Sequence, residues 1–298
     1  MKKSLRRALG RFARPPQTVI EFIAADIVNN CNLRCPFCLV DYDQVKRTEL
    51  MTENTFRSLI RLAPAVPDGG FWLSCLHEPT LHPKLADFIE LIPPAFRKKF
   101  WFTTNLARPL PDTLVSTLAA SGLHHINVSF DSRDELLFAV LRKHGRLKVF
   151  LENLERLLAA FGDSARAPAI CYITMAYRSN MEEIPSLVRW MNEHGRAAQV
   201  EIRYTYNTSN ISDEFKRTHF MRHDDWTTLR SRLQALRYTN WVLSEPPGEY
   251  DLEMTQPPAN WFERVPVAPP RHTSFPRPMR LRARPDGRLH LCYAEDVF

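Results

Sequence analysis

Short β-rich runs alternate with amphipathic, helix-length stretches along two thirds of this chain, and that alternation restricts its fold more than anything else. Parallel strands cannot be joined by a tight turn; they need a crossover, usually a helix. Val19–Val28 reads as the first strand, and Thr52–Leu62 as a helix capped by threonine with Glu53 in its first turn. Strand Gly70–Cys75 and helix His82–Ile92 follow, the latter with Pro83 early, where its missing N–H does no harm. Next come strand Lys99–Thr104, helix Asp112–Ser121 stopped by Gly122, strand His125–Phe130 and helix Leu147–Phe161. Strand Ala169–Ala176, helix Glu182–Glu193 and strand Gln199–Tyr206 complete the series. Six β–α repeats imply a parallel sheet wound with helices. They fall short of the eight that close a full barrel. The expected fold class is therefore α/β, a partial (β/α)6 TIM-like barrel.

After Thr208 the pattern changes. Asp224–Leu236 reads as one more helix, and residues 245–278 are proline-rich and expected to be irregular. Near the end, Pro285-Asp286-Gly287 reads as a turn between two short β-like runs. The expected organisation is a basic segment over 1–16, a core over 17–208 and an extension over 209–298.

At 298 residues the chain suits one large α/β domain with a small appendage. No apolar stretch is long enough to span a bilayer. The opening MKKSLRRALGRFARPP is basic but has no apolar run behind it, which argues against a secretory signal. It is expected to be a solvated or loosely docked helix rather than a membrane or nucleic-acid arm. The net charge of +7 permits an anionic partner without requiring one. Of six cysteines three are packed together and three scattered, which does not describe a disulfide framework. A cytoplasmic location fits.

The packed cysteines are Cys31, Cys35 and Cys38, spaced CxxxCxxC just after the first strand, with Phe37 directly before the last. A structural zinc site closes with four ligands, and an iron–sulfur cube also takes four. Three leave either a zinc knuckle completed by His77 or His82, or a cube with one iron open to another molecule. Asn30, Asn32 and Arg34 are expected to offer N–H groups to the sulfurs. Cys75 and Cys171 read as small buried residues, His77 and His82 as local hydrogen-bonding groups, and Arg203, Tyr204 and Tyr206 as packing.

The triad after the first strand of a β–α array resembles the radical S-adenosylmethionine (SAM) superfamily, from about Val19 to Tyr206. The resemblance implies one 4Fe–4S cluster held by Cys31, Cys35 and Cys38, with SAM on the open iron. It also implies reductive cleavage of SAM to a 5′-deoxyadenosyl radical that takes hydrogen from a substrate. Phe37 matches the family aromatic beside the adenine. Ser74-Cys75-Leu76-His77-Glu78-Pro79 stands where the family has Gly-Gly-Glu-Pro, so Glu78 is expected on the SAM amine, although both glycines are replaced. Thr104-Asn105-Leu106 stands for Thr-Asn-Gly and Ser129-Phe130-Asp131 for Ser-x-Asp. Asn105, Ser129 and Asp131 are accordingly expected near the ribose or carboxylate of SAM. All lie at C-terminal strand ends, where parallel barrels place their sites.

Pro285 to Cys292 also resembles the opening hairpin of SPASM or twitch extensions, here in shortened form. Such an end suits a peptide or small-metabolite substrate, with flavodoxin or ferredoxin as electron donor. RNA modification remains a second enzyme reading, and a zinc-binding module the non-enzyme one. No side chain is singled out as a catalytic acid, base or nucleophile.

Overall fold

A computed structural model of the chain describes residues 20–74, 76–162, 164–244, 246 and 279–292. Its strands are β1 (Ile20–Ala25), β2 (Phe71–Trp72), β3 (Phe100–Thr104), β4 (His125–Ser129), β5 (Ala169–Met175), β6 (Ala197–Arg203), β7 (Trp241–Ser244), β8 (Met279–Ala283) and β9 (Leu289–Cys292). They form one sheet in the order β7-β6-β5-β4-β3-β2-β1-β8-β9. Every neighbouring pair is parallel except the β8–β9 hairpin. The six expected strands thus lie side by side in sequence order, as right-handed β–α crossovers require. The sheet also gains a strand beyond β6 and a hairpin beyond β1, both from the C-terminal third. The expected turn at Pro285-Asp286-Gly287 joins β8 to β9. The basic segment 1–16 and most of the proline-rich run lie outside the described residues.

The helices are α1 (Glu53–Ile60), α2 (Leu85–Leu91), α3 (Asp112–Ala119), α4 (Glu135–Leu141), α5 (Leu147–Phe161), α6 (Ile184–Glu193), α7 (Asp213–His219) and α8 (His223–Gln234). Thr52 caps α1 through its side chain, as expected. The helix expected from His82 begins at Leu85 instead. His82 Nδ1 accepts the Lys84 N–H and the His82 N–H bonds Pro79 O, so these residues form a turn. α4 and α7 were not expected; Asp134 and Ser212 cap them. Each is a single short turn pair, too brief for a periodic signal to stand out. No helix of the described residues is long and apolar enough to cross a membrane.

Each strand has two faces. Ile23, Phe71, Phe100, Phe102, Ile126, Val128, Tyr172, Val200 and Ile202 are buried outward in one core with Phe56, Phe88, Leu118, Phe150, Leu154 and Leu187 of the helices. Alternate residues, among them Trp101, Thr103, His125, Asn127 and Glu201, line the concave side. A parallel sheet covered on both faces would read as unbroken apolar runs. The alternation here marks a concave face reserved for something other than helix packing.

Candidate active site

The site forms where β1, β2, β3 and β4 end. After β1 the chain turns at Asp26, which is buried and accepts two N–H bonds from Arg282 of β8 at 2.7 and 3.0 Å, while its own N–H bonds Ala283 O. The edge hairpin therefore pins the base of the cysteine loop. Beyond it, Asn30 Oδ1 accepts the Cys31 N–H, and Arg34 donates to the carbonyls of Cys31 and Leu33. Asn32 bonds Ala107 O and accepts from Asn105. Contrary to expectation these side chains do not bond the sulfurs: Arg34 satisfies loop carbonyls, Asn30 joins the loop to Thr48, and Asn32 ties it to Asn105 and Ala107. The N–H groups that reach sulfur are Leu33 N and Asn105 Nδ2 on Cys31 (3.4 and 3.5 Å), Val40 N on Cys38 (3.5 Å) and an Arg142 guanidinium nitrogen 4.0 Å from Cys35.

Cys31, Cys35 and Cys38 wall one cavity of about 120 Å³ together with Phe37, Glu78, Asn105, Ser129 and Arg142. Burial pushes the Cys31 thiol up to about 12 and the Cys38 thiol to about 11; burial also raises Cys35, and Arg142 opposes that rise. Such thiols ionise only when a cation repays their desolvation. Among the described residues, no three His, Cys, Asp or Glu side chains converge as a single metal ion requires. Thiols spread around a cavity with N–H donors at their sulfurs fit a polynuclear cluster, in which each sulfur takes a different iron.

Glu78 closes the second side. Its carboxylate is fully buried and accepts Thr80 N (3.1 Å), Thr80 Oγ1 (2.6 Å), Thr104 Oγ1 (2.8 Å) and Asn105 N (2.7 Å). Burial raises its pKa and these four donors oppose the rise. Three of the bonds fall on Oε1, so Oε2, with one, keeps acceptor capacity. At the two positions where glycine is replaced no left-handed backbone is needed: neither Leu76 nor His77 has a positive φ. Tyr42 Oη donates to Leu76 O (2.6 Å) and lies 3.0 Å from His77 Nδ1, Ser74 donates to His77 O, and Glu78 N bonds Asn30 O. At the third motif the glycine position does need glycine's freedom, since Leu106 sits at φ +50°. Burial of its side chain and Asn153 bonded to its carbonyl hold it there.

The fourth strand end divides its expected roles. Ser129 lines the cavity; Asp131 does not. Asp131 is fully buried behind it, 2.6 Å from Arg142 Nε, and accepts the Met175 N–H. Arg142 in turn faces the cavity, approaches Cys35 and lies 5.3 Å over the Phe37 ring. Phe37 packs on Tyr177 and Phe215. Sequence reasoning missed Arg142, which stands beside Lys143 in an ordinary basic run after α4. The available signal was Asp131: an acid buried at a strand end calls for a cation. His82 makes a local bond at Nδ1, but its Nε2 lies 3.0 Å from Met51 O and His77 Nδ1 lies 3.0 Å from Tyr42 Oη, so both rings also tie distant segments together. Cys171 lines the concave cavity instead of the core, and Cys75 lies outside the described residues.

The radical SAM superfamily model matches residues 26–191. Among curated proteins the chain is similar to a GTP 3′,8-cyclase of Marinobacter nauticus, 26% identical over 199 residues, 66% of this chain and 56% of that protein. It is also similar to a GTP 3′,8-cyclase of Chlorobaculum tepidum, 25% identical over 190 residues, 62% of this chain and 52% of that protein. The chain spans about half the length of these relatives. Streptococcus suis SuiB bound to S-adenosylmethionine shares the fold, with a TM-score of 0.63 over 96% of this chain and 68% of that one, at 13% identity.

Proposed function

The chain belongs to the radical SAM superfamily, enzymes built on a 4Fe–4S cluster and SAM, and we propose that Cys31, Cys35 and Cys38 hold that cluster. One observation carries this reading: three sulfurs wall a single cavity whose other walls bring a carboxylate and a guanidinium, Glu78 and Arg142. When bound, the reduced cluster supplies the electron that cleaves SAM to a 5′-deoxyadenosyl radical, which abstracts hydrogen from substrate. The chain's own residues bind and orient. SAM carries an ammonium and a carboxylate on one carbon, and a site for it needs opposite charges. Glu78 Oε2 is assigned to the ammonium and the Arg142 guanidinium to the carboxylate, with Ser129 beside the carboxylate or ribose and Phe37 beside the adenine. Asn105 serves the site by its bond to the Cys31 sulfur, and Asp131 by holding Arg142 in place. N–H groups and a guanidinium near the sulfurs favour the reduced, more negative cluster.

The substrate is proposed to be a peptide or small metabolite entering the concave interior, which adjoins the cysteine cavity and shares Thr103 with it. A nucleotide substrate is a second reading, favoured by the names of the relatives. Anaerobic incubation of iron-reconstituted protein with SAM and dithionite tests the proposal. Formation of 5′-deoxyadenosine, its loss in Cys35→Ala, and about four irons per chain are expected. Glu78→Gln removes one charge-assisted hydrogen bond and should raise the KM for SAM by about tenfold or more. Undiminished yield in Cys35→Ala refutes the cysteine assignment, and about eight irons refutes a single cluster.

A further inference from the structure

Helix α4 has two unlike faces, and its inner one meets the cysteine loop. Leu137 and Leu141 pack in one apolar cluster with Phe37 and Cys35. The turn after α4 docks on the same loop. Lys143 O accepts the Arg34 N–H at 3.0 Å, and a Cβ on Gly145 would come within 3.3 Å of Leu33, which itself lines the cysteine cavity. Helix and turn are therefore an outer wall of the site, one helix thickness, about 10 Å, across.

The outer face is apolar and bare. Leu136 is 79% exposed, the most of any large apolar side chain among the described residues, and Val140, 49% exposed, follows four positions on, on the same helix face. A single exposed leucine is ordinary. This pair runs on into a basic turn: from Arg142 to Leu151 the chain carries Arg142, Lys143, His144, Arg146 and Lys148 and no acid. Arg142 turns into the site, and Lys148 faces Glu152 at 3.8 Å. Lys143, His144 and Arg146 are exposed, and their side chains make no ion pair or hydrogen bond among the described residues. Of the nearby acids, Asp43 is already paired with Arg34 at 2.7 Å, and Asp134 and Glu135 stand at the other end of α4.

A cluster in the cysteine cavity takes its electron from outside, and that electron must cross one of the walls. We propose that the outer face of α4 and the turn after it, through Leu136, Val140, Lys143 and Arg146, are the docking surface of an acidic, low-potential one-electron carrier protein. Its acidic rim would lie on the two cations and its exposed redox group against the leucine and valine. The inference deepens the radical SAM reading and rests on it. In the step the carrier loses one electron and the oxidised cluster gains it; no bond forms or breaks. Two apolar side chains and two cations are too few for a permanent interface and suit the small, electrostatically steered encounters of electron carriers. A second copy of this chain, itself carrying +7, would meet like charge here.

The test mixes full-length, cluster-loaded protein under argon with photoreduced flavodoxin, or with a reduced plant-type ferredoxin, and follows cluster reduction by freeze-quench electron paramagnetic resonance. Lys143→Gln/Arg146→Gln should lower the second-order rate about tenfold or more at low salt. Wild type and variant should converge near about 1 M salt, where the screening length is about 3 Å. Leu136→Ser/Val140→Ser should lower the rate about three- to tenfold at every salt concentration, because it removes apolar contact and not charge. Dithionite is small enough to need no docking surface, so it should reduce the cluster and yield 5′-deoxyadenosine to the wild-type extent in both variants. Thermal melting checks that both fold. The inference falls if neither carrier reduces wild-type protein, or if both folded variants keep the wild-type rate. It also falls if dithionite fails with the variants, which puts these residues in the site itself, or if gel filtration shows that they alter the protein's own oligomeric state. The radical SAM reading is scored separately, by 5′-deoxyadenosine from wild-type protein with dithionite: its formation without a carrier effect sinks this inference alone, and its absence sinks the reading on which the inference rests.

Discussion

Asp131→Asn is the substitution that most directly tests how the site is built. Asp131 is the nearest counter-charge of Arg142, at 2.6 Å and fully buried. At that distance and an effective dielectric of 20 the gross attraction is about 6 kcal/mol, partly offset by desolvation. In cluster-free protein the next candidate, Cys35 at 4.0 Å, is a neutral thiol because burial raises its pKa. Asparagine keeps the size and can still accept the Met175 N–H, so the loss isolates the charge. An arginine left buried and unpaired costs about 3–5 kcal/mol. Exchanging both partners in Asp131→Asn/Arg142→Met should restore stability to within about 1–2 kcal/mol of the parent, since an apolar group carries no desolvation penalty. The coupling from the double-mutant cycle should exceed about 2 kcal/mol. Urea unfolding of cluster-free protein under argon, followed by far-UV circular dichroism, measures all four corners. A loss below about 1 kcal/mol in Asp131→Asn, or strict additivity in the double variant, would refute the claim that Asp131 exists to hold Arg142.

Gly145→Ala should destabilise the protein by about 1–3 kcal/mol and lower iron retention. A Cβ there would sit 2.8 Å from Arg142 O and 3.3 Å from the Leu33 side chain, at the turn that docks on the cysteine loop. Thermal melting and iron content read the two effects together. Stability should also fall in acid through His125, whose pKa burial lowers from an ordinary 6.5 to about 4. The neutral ring is favoured when folded, so its contribution is full above pH 6.5 and lost as pH falls toward about 4, where the unfolded chain takes up the proton first. The shift taken whole would give about 3 kcal/mol; the ring is partly open to the cavity, so about 1–2 kcal/mol is expected. A stability profile over that range that is unchanged in His125→Gln contradicts it.

The sequence by itself determined what repeats locally. Strand and helix write periods of 2 and 3.6 into the chain, and these place β1 to β6, α5 and most helix cores within a few residues. The cysteine spacing is equally local, and so are the strand-end residues Glu78, Asn105 and Ser129, which all reach one cavity. Pairings between segments far apart in sequence were settled by tertiary structure alone. Arg282 reaches Asp26 across 256 positions because β8 docks beside β1. Arg142 meets Cys35 across 107 because the turn after α4 folds onto the loop. Asp131, which looked like a cofactor contact, became the support of that arginine. The same register that stacks Trp72, Trp101 and His125 makes an aromatic wall from three residues that share no motif. A side chain's periodicity records which face it takes, but only the register of neighbouring strands records whom it meets there.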